Sequence, residues 1–192
     1  MQPALALLEL SSVAVGIEVG DAMVKRSPVD VLYAGTIHPG HYLVLVAGAV
    51  ADVEEALDAA DPLTGESLLD RIFLPDVHDD VVAALGGRRA PTRGEALGVI
   101  ETTTVASVVV AADAGVKGAA VTLRELRLGD GLGGKGYVLF GGPVAEVEAA
   151  VELGTARVDP SRRVGSRVIA RLHDEMEANL AAAPRFRTRV ER

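Results

Sequence analysis

The sequence predicts an α+β fold in which one small α/β sandwich domain, a mainly antiparallel sheet with helices, occurs twice in tandem. Three observations carry that expectation. The chain resembles itself along most of its length, and each copy runs through the same order of short apolar stretches and amphipathic segments. The composition, rich in Ala, Val and Gly with 3% aromatic residues and no Trp, suits small, closely packed elements. Residues 4–32 align with 96–124 without a gap, and ten of those 29 positions are identical, among them Leu5/Leu97, Glu9/Glu101, Asp21/Asp113 and Lys25/Lys117. After a two-residue insertion, 48–54 face 142–148, and His78-Asp79 later faces His173-Asp174. Self-similarity at one fixed spacing is the mark of a duplicated unit. It divides the chain into a first domain over 1–86, a Gly/Arg/Pro linker over 87–95, a second domain over 96–182 and a basic tail over 183–192.

Each element follows from its residues. Ala4–Leu10 and Ala96–Glu101 are apolar runs of strand length. Ser11-Ser12 and Thr102-Thr103-Thr104 then offer hydroxyls to cap a helix. In the first helix Val13, Ile17, Gly20 and Val24 share a face, while Asp21 and Lys25, like Asp113 and Lys117, stand four apart in the acid-first order of an exposed pair. Pro28 ends that helix. Val29–Ala34 and Tyr42–Ala47 read as a strand pair around a turn, mirrored by Val121–Leu128 and Tyr137–Phe140. Val50–Ala60 and Val144–Leu153 are second helices. Leu68–Leu74 and Val164–Arg171 are last strands, each leading to a short helix with acids in its first turn, where the helix dipole favours them. The order in each half is β-α-β-β-α-β-α, with the helices expected on one face of the sheet and a modest core in each half.

Charge and composition exclude several classes of function. With 19 Lys+Arg against 27 Asp+Glu, a net charge of −8, the chain lacks the clustered cations that neutralise phosphates, so no nucleic-acid partner is expected. Without cysteine there is no disulfide, thiolate metal site or Cys-ligated iron–sulfur cluster. No apolar run approaches the roughly 20 residues of a membrane span, and Met1-Gln2-Pro3 opens no leader, so a soluble, cytosolic protein is expected. The tail carrying Arg185, Arg187, Arg189 and Arg192 reads as a solvated end.

No catalytic constellation emerges, and the chain is not expected to be an enzyme. Gly129-Asp130-Gly131-Leu132-Gly133-Gly134 spells a dinucleotide fingerprint, but Lys135–Phe140 after it is a strand, not the helix whose N-terminus would meet a pyrophosphate. A glycine-rich hairpin loop accounts for the same residues. The matching loop of the first half, Gly35–His41, holds His38 and His41, two donors where zinc takes three or four. In one chain they read as exposed loop histidines, and on a symmetry axis His38 would be multiplied into a ring. His78 and His173 stand at matching helix starts and read as local caps. Glu9 and Glu101 read as one structural residue duplicated.

Ala96-Leu97-Gly98-Val99-Ile100-Glu101-Thr102, followed by Ala111-Ala112-Asp113-Ala114-Gly115-Val116-Lys117, resembles the opening of the bacterial microcompartment shell domain, and Ala4–Lys25 has the same form. The glycine-rich loops, the helix over 144–150 and Arg171-Leu172-His173 are similar to later parts of that domain. Two such domains in one chain resemble the tandem, trimer-forming shell proteins, most of all the type found in propanediol-utilisation microcompartments. The resemblance implies architecture and not catalysis. A pseudohexameric homotrimer would tile with other hexagonal and pentagonal shell proteins, around encapsulated enzymes, within the cytoplasm. It implies that Ile37, His38, Pro39 and Gly40, with Gly131, Leu132, Gly133 and Gly134, line a central pore for small metabolites. It places Lys25 and Lys117, with Asp21 and Asp113 beside them, at tile edges together with Arg171, which the first copy replaces with Asp76. In the propanediol-type relatives the residue matching His38 is a cysteine that holds an iron–sulfur cluster on the threefold axis. Here three His38 side chains would stand there, excluding that cluster and leaving a place for a divalent metal. A second reading of the duplication is a small-molecule-sensing regulatory protein with the glycine-rich loop as ligand cradle.

Overall fold

The structure, a computed structural model, describes residues 3–90 and 94–182; the tail over 183–192 and linker positions 91–93 lie outside the described residues. The first half comprises β1 (Ala4–Leu10), α1 (Val13–Arg26), β2 (Asp30–Ile37), β3 (His41–Gly48), α2 (Val50–Thr64), β4 (Leu68–Leu74) and α3 (Asp79–Leu85). The second comprises β5 (Ala96–Thr102), α4 (Val105–Gly118), β6 (Thr122–Leu128), β7 (Gly136–Gly142), α5 (Val144–Ala156), β8 (Arg163–Ala170) and α6 (Asp174–Ala182). The element order is the predicted one. The sheets run β2-β3-β1-β4 and β6-β7-β5-β8, and every pairing is antiparallel.

Local chemistry sets the boundaries. Val15 N–H donates to Ser12 Oγ at 3.4 Å, and α1 stops at Arg26, two residues short of Pro28. The loop-side strands are longer than their apolar cores. Pairing of Ile37 with His41 and of Leu128 with Gly136 carries each hairpin to the edge of its turn. Helix α2 likewise continues past Ala60, because Thr64 turns inward and its hydroxyl donates to the Asp61 carbonyl at 3.0 Å.

The two halves exchange large and small side chains at equivalent contacts. In the first, Gly16 lies under the Tyr42 ring, where a Cβ would come within 2.3 Å of it. In the second, Val108 takes the place of Gly16 and Gly136 that of Tyr42, and a Cβ on Gly136 would come within 2.4 Å of Val108. One layer deeper, Met23 and Val46 are fully buried in the first half, while their counterparts are Gly115 and Phe140. Close packing tolerates such exchanges only when both partners change together.

The core departs from the expected modest core in each half, because one of its two clusters spans both halves. Every residue of β1 is buried. Ala4, Ala6, Leu8 and Leu10 face α1 and α2 in a core confined to the first half. Leu5 and Leu7, pointing the other way because successive strand residues alternate, join Ile72 and α3 in a core continuous with that of the second half. Helices are therefore found on both faces of the first sheet. α3 and the second half's α4 cover the side that the sequence left bare, because the alternation in β1 is apolar on both faces.

Candidate functional site: the paired loops and the seam between halves

The β2–β3 and β6–β7 loops, far apart in sequence, lie against each other. Gly129, Gly131, Gly133 and Gly134 all hold positive φ, between 60° and 87°. The loop closes through Leu132 N–H to the Gly129 carbonyl at 3.0 Å and Gly129 N–H to the Lys135 carbonyl at 3.1 Å. Glycine is required twice over, for the left-handed backbone and for the approach: a Cβ on Gly129 would stand 2.6 Å from Ile37 Cδ1, and one on Gly134 3.2 Å from Pro39 Cδ. His38, Pro39, Gly40, Gly131 and Gly133 are exposed at the rim and Leu132 is half-buried. Ile37 and Gly134 correct the expected pore lining. Both are buried, because they are the surfaces by which one loop seats on the other.

His41 is not the exposed loop histidine expected. It opens β3, and its Nδ1 hydrogen-bonds Glu9 Oε1 at 2.9 Å. The equivalent pair in the second half is Lys135 Nζ with Glu101 Oε1, at 2.6 Å. Glu9 is fully buried, and its second oxygen accepts Val105 N–H at 2.8 Å from the first turn of α4. Burial pushes the Glu9 carboxyl above its ordinary value of 4.5, while the hydrogen bonds from His41 and from the Val105 and Ala106 backbone oppose that rise. This corrects the expected cap of α4. Thr104 has no capping bond of its own; a carboxylate from the other half supplies it. The Thr104 hydroxyl instead joins that of Ser107 in donating to Asp70 Oδ2, at 2.5 and 2.7 Å.

The rest of α4 is docked in the same way. His78 N–H donates to Asp113 Oδ1 at 2.8 Å, and Lys117 Nζ donates to Asp113 Oδ2 at 2.7 Å and to the Asp76 carbonyl. Asp113–Lys117 is thus a pair at a seam and not the exposed pair expected, with the Asp113 side chain 7% accessible against 56% for Asp21. Asp21–Lys25 stands on the surface at 2.5 Å. Arg171 follows β8 with φ 55°, the one non-glycine residue at positive φ among those described, and its N–H donates to the Glu95 carbonyl. His78 and His173 do cap locally, accepting from Asp80 and Glu175 N–H at 3.1 and 3.2 Å.

Two features had no signal in the sequence. The linker is pinned: Arg89 donates to Glu125 Oε2 and to the Leu180 carbonyl, each at 2.8 Å, and Ala90 N–H pairs with the Arg124 carbonyl on the edge of β6. Arg124 in turn forms a buried ion pair with Glu177 of α6. An apolar cavity of about 480 Å³ lies beside the loops, lined by Leu7, Ile37, Leu43, Leu45, Val82 and Leu85 among others.

The model of the BMC domain matches this chain twice, over residues 4–77 and 96–172. The chain belongs to the BMC domain family. It is 37% identical over 177 residues to the bacterial microcompartment shell protein PduT of Citrobacter freundii, covering 92% of this chain and 96% of that one. Over 102 aligned residues the chain is also 40% identical to the major carboxysome shell protein CsoS1A of Halothiobacillus neapolitanus, covering half of this chain and 97% of that one. The crystal structure of a microcompartment protein from Desulfitobacterium hafniense DCB superposes with a TM-score of 0.79 at 39% identity, over 93% of this chain and 99% of that one. A fused permuted hexameric shell protein of the RMM microcompartment shares the fold, with a TM-score of 0.59 at 22% identity over 81% and 83%. The tandem BMC domains make this chain a bacterial microcompartment shell protein, in a family of structural proteins. Among the described residues no three His, Asp or Glu side chains gather as a metal site, and no helix is long and apolar enough to cross a membrane.

Proposed function

We propose that three copies of this chain close into a ring of six BMC domains, a pseudohexagonal tile with the paired loops around a central pore. The observation that carries this reading is the head-to-tail seam inside the chain. The second domain offers α4 to the sheet of the first, so donor and acceptor surfaces differ, and a contact of that kind repeats into a ring when its rotation closes. His38, Pro39, Gly40, Gly131 and Gly133 are exposed on the touching loops and form the pore rim, passing small polar metabolites by size and hydrogen bonding. Lys25, Lys117 and Arg171 lie at the tile edge, with Asp21 and Asp113 orienting the two lysines, and meet neighbouring hexagonal and pentagonal shell proteins of a shell that encloses enzymes in the cytoplasm.

Three His38 imidazoles, one per chain, supply three nitrogen donors. That set suits a divalent ion with an open fourth position, and without cysteine it does not suit an iron–sulfur cluster. Native mass spectrometry reads assembly and metal together. The expected species is three 19.9 kDa chains carrying one zinc, with the zinc absent in His38→Ala. A single-chain mass at micromolar concentration overturns the tile. A trimer free of metal in the presence of zinc overturns the metal site and leaves the ring standing.

A further inference from the structure

The apolar cavity beside the loops has a counterpart in the second half, and that counterpart is filled. Strand register fixes the correspondence. Tyr33 of β2 lies across from Leu45 as Glu125 of β6 lies across from Leu139. Leu85 of α3 corresponds to Leu180 of α6, because His78-Asp79 and His173-Asp174 open the two helices alike. In the second half the linker closes the site: Arg89 donates to Glu125 Oε2 and to the Leu180 carbonyl, Ala90 N–H donates to the Arg124 carbonyl, and about 10 Å³ stays open. In the first half the site bounded by Tyr33, Leu45, Val82 and Leu85 is the cavity of about 480 Å³. Glu125 is accordingly 3% accessible and Tyr33 43%. An apolar cavity of about 150 Å³ takes up a benzene ring, so this one has room for an aromatic side chain and more.

We infer that the tail over 183–192 of a neighbouring copy fills this seat, with Pro184 against Tyr33 and Phe186 inside the cavity. The inference rests on the ring proposed above, in which the contact between halves is repeated between chains. The linker leaves α3, which packs against β6, and lands on the half that offers β6. The tail leaves α6 at the equivalent point, and in the ring its half meets the first half of another chain. Counted from the paired histidines, Arg89 corresponds to Pro184 and Ala90 to Arg185. Both partners change together. The ion pair of Arg89 with Glu125 becomes an apolar contact of Pro184 with Tyr33. The Ala90 N–H that meets the Arg124 carbonyl becomes Arg185 N–H meeting the carbonyl of Leu32, which stands at the same bulge of β2 as Arg124 of β6. The tail's sequence suits an added strand, because Phe186, Thr188 and Val190 alternate with Arg185, Arg187 and Arg189, the period of a strand with one face buried. Its charge suits the place too. Four arginines stand against one glutamate, and Asp130 at the cavity mouth is exposed, with a carboxylate that has no partner among the described residues.

The chain has neither tryptophan nor cysteine, so introduced ones report without background. In the trimer, Phe186→Trp is expected to emit to the blue of the same chain in urea and to resist acrylamide quenching. Leu85→Lys, which puts a charge in the cavity wall, and Tyr33→Lys, at its exposed rim, each shift that emission to the red and restore quenching while circular dichroism stays unchanged. With Phe186→Cys and Leu85→Cys in one chain, a short bismaleimide is expected to join separate chains into covalent dimers and trimers. A single-chain mass at micromolar concentration overturns the ring and this inference with it. A trimer whose Phe186→Trp indole is as exposed as in urea, or ignores Leu85→Lys and Tyr33→Lys alike, overturns this inference alone. A cross-link that closes within one chain does the same, because the tail then seats on its own copy.

Discussion

Glu9 concentrates the chemistry of the seam in one carboxylate, gathering the backbone of one half and a histidine of its own. Removing a buried acceptor strands its donors, which costs more than the bonds were worth. Glu9→Ala is therefore expected to lower unfolding stability by roughly 2–4 kcal/mol, read from urea midpoints, and Glu9→Gln by distinctly less because its carbonyl oxygen can still take the Val105 N–H. The pH dependence has a definite sign. Burial raises the Glu9 carboxyl above 4.5, so the folded state holds this proton more tightly than the unfolded one. Its contribution is fully present below the ordinary carboxylate value and is lost as pH rises through the raised one, a slope that Glu9→Gln removes. The identity of Glu9 and Glu101 was legible in the repeat, and so was their structural character. Their different surroundings were not, because one is buried by a helix about a hundred residues away and no local pattern records that.

At the scale of elements, the order and type of every strand and helix were readable because period-2 and period-3.6 patterns are local. Which face of each helix is covered was not readable. Val13, Ile17 and Val24 on α1 and Val105, Val109 and Val116 on α4 make the same stripe, and only α4 has its partner within the chain. Inter-element fit was likewise hidden, although the repeat holds a clue in the paired exchanges of large for small. That fit is testable by moving one half's solution into the other. Gly115→Met forces a side chain against the Phe140 ring, where even a Cβ would come within 2.5 Å, and is expected to cost about 2–4 kcal/mol. Phe140→Val alone leaves a cavity and costs about 1–3 kcal/mol. Together they rebuild the Met23/Val46 arrangement of the first half, so the double variant recovers at least about 1 kcal/mol relative to the sum, a coupling that denaturation midpoints of the four proteins measure.

For the whole molecule, the duplication was plain from the sequence, and the two halves share more than an interface. Leu5, Leu7 and Ile72 of the first half belong to the core that runs through α4, Val138 and Phe140 of the second. A ring of three such chains has two kinds of joint: seams inside each chain, which form at any concentration, and seams between chains, which obey mass action. Fusing two BMC domains makes half of the joints independent of concentration, provided the inner seam unfolds together with the domains it joins. The expected signature is hydrogen exchange in which the most protected amides of β1 and β5 open with the same free energy, in a single transition. Leu7→Ala, made in the first half only, then lowers both by the same amount, about 2–4 kcal/mol. Two separate plateaus, with β5 indifferent to Leu7→Ala, would mean that the halves fold as independent beads. The seam would then be a contact between finished domains and not part of their common core.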